Sequence, residues 1–241
     1  LKKGLERSPE HRELLERLGE VYLGARRWAE AEPALRRQLA LAGPEEKVAL
    51  GLQLTQVNAE LDRPREAAAA LAEAIKAGAP EVDHLPRLGE LYEQGGQLRE
   101  LAEVQARLIA LHEAAGEKEK AAALGVQRAR LLETALGDKA EAISRYAEVL
   151  AQNPVDADAL SALENLLTDV DHREAAARAL LPAYAAQRDQ RKQVAALAVI
   201  AESARDSLEK LTALRKAAEL HSAHLRQPEQ AFASLATAMR L

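Results

Sequence analysis

LGEVYLGARRWAEAEPAL, residues 18–35, recurs in altered form as LTQVNAELDRPREAAAAL, residues 54–71, and as LGELYEQGGQLRELAEVQ, residues 88–105. The starts are 36 and then 34 positions apart. A period of this length marks stacked helix pairs, because one pair cannot bury its apolar stripe alone and neighbours must cover it. The recurrence predicts an all-α solenoid with no strands. It also bears on function, since arrays of this kind present extended surfaces to partners and rarely carry a reaction.

Within the repeat, certain positions keep their chemistry. The first unit has Leu18, Gly19, Tyr22, Ala31 and Leu35; the third has Leu88, Gly89 and Tyr92, with Leu101 and Gln105 where Ala and a large apolar residue are expected. The second keeps Leu54, Ala67 and Leu71 but carries Thr55 and Asn58 in place of Gly and Tyr. A fourth reads through Gly137, Ala142, Tyr146 and Pro154, a fifth through Leu160, Leu163, Leu167, Ala176, Leu180 and Ala183, and a sixth through Leu225, Ala231, Leu235 and Ala238. Small residues at these places let two helix backbones approach, and large ones fill the remaining space to interior density. With only 2% aromatic residues, the core is expected to be Ala- and Leu-rich, with Trp28, Tyr22, Tyr92 and Phe232 inside it.

This pattern resembles the tetratricopeptide repeat, divergent and with an irregular C-terminal half. The resemblance implies a right-handed superhelical α-solenoid of about thirteen helices. We read residues 1–241 as one such segment, with more regular repeats over 1–150 and divergent ones over 151–241. Leu1 to Arg7 followed by Pro9 matches the end of a second helix, and the chain stops at Leu241 inside another. The expectation is therefore a segment of a longer array, able to self-associate through uncapped ends.

Local signals place the helices near 11–24, 28–42, 45–60, 64–77, 82–94, 98–114, 117–135, 139–151, 157–169, 173–187, 190–205, 207–224 and 228–240. Asp138 with Glu141, Asp171 with Glu174 and Asp206 with Glu209 read as capping pairs. Pro64 and Pro228 suit first-turn positions, whereas Pro33 and Pro86 ask for helices that start later. Pro182 falls in mid-helix and is expected to kink or break it. The phase slips twice: 41 positions separate Leu101 from Ala142, and 55 separate Ala176 from Ala231. The second gap leaves room for an extra helix near 190–205.

The resemblance implies binding on the concave face, lined by the first helix of each pair. Counting from the Leu-Gly anchor, its exposed positions are Glu13, Glu16 and Glu20, then Gln56 and Glu60, then Asp83, Glu90 and Glu93. Glu13, Glu16 and Glu20 share one helical face. The family's peptide-binding version clamps a terminal carboxylate with Lys and Asn; here Glu16 and Glu20 stand in those places. A basic peptide or basic protein surface is the expected partner, with the segment acting as an interaction scaffold. The alternative is a structural spacer without its own ligand.

Other classes find little support. Arg188, Arg191 and Lys192, with Lys118, Lys120, Arg128 and Arg130, make the later part more basic. The net charge is nevertheless −5, and no aromatic residues interleave with these bases to stack on nucleotides, so nucleic acid is not expected. No phosphate-binding loop, dinucleotide fingerprint or nucleophile elbow is present, and neither enzyme activity nor a cofactor is expected. His221 and His224 lie three apart but lack further ligands for a metal. No apolar run approaches the ~20 residues that span a bilayer. A cytoplasmic protein is expected, and the excess of Arg over Lys with abundant Ala points to a GC-rich bacterial genome.

Overall fold

The computed structural model describes residues 11–241, so the stretch Leu1 to Arg7 lies outside the described residues. Thirteen helices follow one another there, without strands: α1 (Arg12–Gly24), α2 (Trp28–Leu41), α3 (Pro44–Glu60), α4 (Pro64–Lys76), α5 (Glu81–Gln94), α6 (Leu98–Ala114), α7 (Lys118–Thr134), α8 (Lys139–Gln152), α9 (Ala157–Leu166), α10 (Arg173–Ala186), α11 (Gln190–Ser203), α12 (Ser207–Ala223) and α13 (Pro228–Ala238). They group into two compact units, divided between Leu111 and His112.

In the first unit α1 to α5 pack each on the next in chain order. Tyr22, Ala31, Leu35, Leu54 and Val57 form one buried cluster, and Ala67, Ala68, Leu71, Leu85, Leu88, Leu91 and Val104 another. In the second unit a single cluster runs from Val126 to Leu220. There α11 packs to an equal extent on α10 and α12, and α8 reaches α10 across the short α9. The helix expected near 190–205 is thus present as α11, shared between its two neighbours.

One turn recurs at the joints. The third residue after the helix donates its N–H to a carbonyl five positions back: Arg27 to Tyr22 (2.8 Å), Arg63 to Asn58 (2.9 Å), Gln97 to Tyr92 (2.8 Å), Glu117 to His112 (2.8 Å) and Asp189 to Tyr184 (2.9 Å). The residue before each donor is left-handed: Arg26, Asp62, Gly96, Gly116 and Arg188. This is the Schellman closure, which satisfies carbonyls that a helix end leaves open.

Several expectations are corrected by which face is buried. Pro33, Pro86 and Pro182 all lie inside unbroken helices. Neither α2 nor α5 starts late, and α10 does not break. Each proline is exposed, and the carbonyls four residues back belong to the exposed Ala29, Val82 and Arg178, so water can take the place of the lost N–H. Phe232 is not core: it is 74% exposed. Tyr22 is buried, and Trp28 and Tyr92 are half-buried.

Of the expected caps, Asp138 accepts from Glu141 N at 3.0 Å, while Asp206 accepts from Leu208 N rather than from Glu209. Asp156 and Asp189 cap α9 and α11. Asp171 caps nothing; its own N–H donates to Asp169, which also takes Lys139 Nζ at 2.6 Å and contacts His172 Nδ1 at 3.1 Å. Lys139 and His172 hold the Asp169 carboxyl well below the usual range. This cluster ties the start of α8 to the α9–α10 loop.

Two tyrosines link helices by their hydroxyls. Tyr146 donates to Glu133 Oε2 at 3.0 Å, and Tyr184 to Glu164 Oε1 at 2.8 Å, where Lys192 Nζ also donates at 2.8 Å. Burial, then the neighbouring carboxylate, pushes both phenols up.

Candidate interaction site

The eight residues expected to bind a partner fall on α1, α3 and α5, and all are exposed. Glu16 and Glu20 line a cleft of about 390 Å³ between α1 and α3, with α2 behind it. Glu13, Gln56, Glu60, Asp83, Glu90 and Glu93 do not line it. Glu13 pairs with Arg17 at 3.4 Å and Glu90 with Arg87 at 2.7 Å, each within its own helix.

Across the cleft stand Glu45 and Glu46 of α3, which counting from the Leu-Gly anchor does not reach. They occupy the first turn of a helix opened by Pro44, where the macrodipole favours acids. Glu46 also folds back to accept from Gly43 N at 3.2 Å. The signal for them is this helix-start pattern, Gly43-Pro44-Glu45-Glu46.

The floor is apolar, built from Leu23, Leu35, Ala49 and Leu50. One cation already sits at the rim. Arg12 donates Nε to Glu16 Oε1 at 2.9 Å and Nη2 to Glu46 Oε1, bridging α1 to α3. Both partners raise its pKa, Glu16 foremost. Gln38, nine-tenths buried in the wall, donates Nε2 to Leu15 O at 2.7 Å. The cleft thus gathers four carboxylates around one guanidinium.

Several basic residues of the second unit are engaged by acids. Lys120 meets Glu117, Arg128 meets Glu141, Arg130 meets Asp158 and Lys192 meets Glu164. His221 Nδ1 lies 2.9 Å from Gln227 Oε1. Among the described residues no group of three or more potential ligands could hold a metal ion, and no helix is long and apolar enough to cross a membrane.

The signature positions do the packing work asked of them. Gly19, Ala31, Ala67, Gly89 and Ala142 are buried where paired helices meet, and Tyr22, Leu35, Leu71 and Tyr146 are buried beside them. A Cβ added at Gly19 would stand 2.5 Å from Gln38 Nε2, so α1 and α2 touch there through the smallest side chain available. The chain is an all-α array of packed helix pairs. No family model matches it, and no curated protein matches it. Among solved structures it is similar to a tetratricopeptide repeat protein from Parabacteroides merdae ATCC 43184, at 14% identity over 95% of this chain and 92% of that one, with a TM-score of 0.37. It is also similar to residues 1–338 of Acl4, an assembly chaperone of RpL4, at 14% identity over 94% of each chain, with a TM-score of 0.29.

Proposed function

We propose that this repeat is a non-catalytic protein-interaction scaffold whose first-helix face, on α1, α3 and α5, binds a basic peptide or a basic patch of another protein. The α1/α3 cleft is the observation that carries this reading: its carboxylates outnumber its one cation, and an apolar floor beneath them suits the aliphatic stems of Lys and Arg. Charge complementarity of this kind sets partner choice and association rate more than raw affinity.

Fluorescence anisotropy with a labelled Lys/Arg-rich peptide and its Asp/Glu-rich counterpart tests the reading. The basic peptide is expected to bind and to weaken with added salt. A Glu16→Lys/Glu20→Lys variant of unchanged circular dichroism is expected to lose about tenfold or more in affinity. Equal binding by the charge-reversed variant, or a preference for the acidic peptide, would overturn it.

One observation favours the alternative, an assembly segment without a separate ligand. Phe232 and Leu235 of α13 and Met239 at its C-terminal end make an apolar stripe, exposed at 74, 45 and 89%. The same register holds Ala68, Leu71 and Ile75 in α4 and Ile143, Tyr146 and Leu150 in α8, all buried at 8% or less. In those places the following helices cover the stripe. If α13 is an assembly face, sedimentation velocity will show concentration-dependent association that Phe232→Glu/Met239→Lys abolishes; a monomer at all concentrations removes this alternative.

A further inference from the structure

We propose that the groove between α2 and α4, floored by α3, is a second binding site, and that it takes a tyrosine side chain of a partner with the phenol hydroxyl pointing inward. The site is separate from the acidic cleft and does not depend on the reading of a basic partner.

The repeat itself supplies the comparison. Leu39, Leu54 and Glu66 line this groove, and their equivalents one unit on, Ile75, Leu88 and Glu100, line a groove between α4 and α6 over α5. The first measures about 570 Å³ and the second about 100 Å³. Asn58, Ala69 and Ala70 line the wider one where Tyr92, Glu103 and Val104 line the narrower. The largest of these changes falls at the signature tyrosine, whose place Asn58 takes in the second unit. The narrow groove therefore contains a phenol ring of the chain's own, and the wide one lacks it.

Asn58 supplies an independent pointer. Its side chain is only 1% exposed. Nδ2 donates to Leu54 O at 2.9 Å, and because a carbonyl can only accept, this contact turns Oδ1 the other way. That oxygen is buried and has no hydrogen-bond partner among the described residues. A buried acceptor without a donor is costly, and a ligand that brings an O–H or N–H to the floor removes the cost.

The rest of the lining selects the ligand. Leu39, Leu54, Ala69 and Ala70 offer apolar surface to a flat ring. The rim carries Arg36 and Arg65 against Glu66 and Glu73, two charges of each sign, so a charged side chain gains no net attraction there. Arg36 is engaged by Glu32, and Arg65 donates Nε to Gly95 O at 2.8 Å. Charge complementarity favours a neutral ring, whose electron-rich face suits the guanidinium groups, with a donor at its far end for Asn58. Phenylalanine lacks the donor, and tryptophan carries its N–H on the side of the ring. Tyrosine has the donor at the tip.

The test titrates the peptide Gly-Ser-Tyr-Ser-Gly and its phenylalanine counterpart into the whole chain, followed by NMR at the alanine methyls of Ala69 and Ala70. Saturable shifts are expected for both, with the tyrosine peptide tighter by about three- to tenfold, the worth of one hydrogen bond to a buried acceptor. Asn58→Leu keeps the size of the side chain and removes the acceptor. It is expected to erase the preference while the phenylalanine peptide binds as before. Asn58→Tyr, which restores the ring of the repeat, is expected to abolish the shifts for both peptides, and Glu16→Lys/Glu20→Lys to leave them unchanged. No saturable shift at Ala69 and Ala70, equal affinity for the two peptides, or a preference that survives Asn58→Leu would each overturn the tyrosine site, whatever becomes of the acidic cleft.

Discussion

Leu163→Ala is expected to destabilise the second unit by about 2–5 kcal/mol, the range for emptying a fully buried leucine site. Leu163 has no exposed surface and lies in the continuous cluster that runs from Val126 to Leu220. Its helix, α9, is only ten residues long, too short to persist without tertiary packing. Ala159, Leu163 and Leu166 are the side chains it buries, so losing one large member loosens its hold on both α8 and α10. Guanidinium denaturation followed by circular dichroism measures the loss. Hydrogen exchange localises it, with amides of α9 and its neighbours expected to lose protection before those of α3 and α4. A loss below about 1 kcal/mol, the size of an ordinary surface substitution, would contradict the packing described.

The second large effect is a contrast in sign between two glycines. At Gly51 an added Cβ would lie 2.8 Å from Ala74 Cβ and 3.3 Å from both Ala74 Cα and Ala70 O. Those atoms belong to or hang directly on the α4 backbone and cannot swing away. Gly51→Ala is therefore expected to cost about 1–3 kcal/mol through overpacking, more than the ~1 kcal/mol that Ala gains over Gly in a helix. At Gly89 the nearest atoms would be Val104 Cγ1 at 3.5 Å and Leu101 Cδ1 at 3.7 Å, which is ordinary contact. Gly89→Ala is expected to raise stability by up to ~1 kcal/mol. Thermal melts of the two variants should move in opposite directions from the parent. A stabilising shift in both would mean that α3 and α4 do not approach as described.

This pair of glycines also shows what a sequence discloses about the fold. Gly89 bears the repeat signature and Gly51 does not, because Thr55 holds the signature position in the second unit. The close approach of α3 and α4 nevertheless falls one turn earlier, at Gly51. Helix boundaries were legible because capping, proline and periodicity act locally, and all thirteen helices fall within a few residues of their expected places. The three internal prolines were misjudged because their tolerance depends on facing solvent. Phe232 was misjudged because a side chain is core only when another helix covers it. The same limit applied to the candidate site. Glu16 and Glu20 were readable from their spacing on one helix, but Glu45, Glu46 and Gln38 join them only through the meeting of α1, α2 and α3.

The recurring closure at the joints sets the tempo of folding as well as its geometry. Because three residues suffice to reverse the chain at Arg26, Asp62, Gly96, Gly116 and Arg188, helices that pack together are also near in sequence. Little loop entropy opposes their meeting, and contacts of such short range are those of fast-folding chains. Assembly can begin at any such joint and spread to adjacent helices, so a chain emerging during synthesis can acquire order hairpin by hairpin without waiting for its far end.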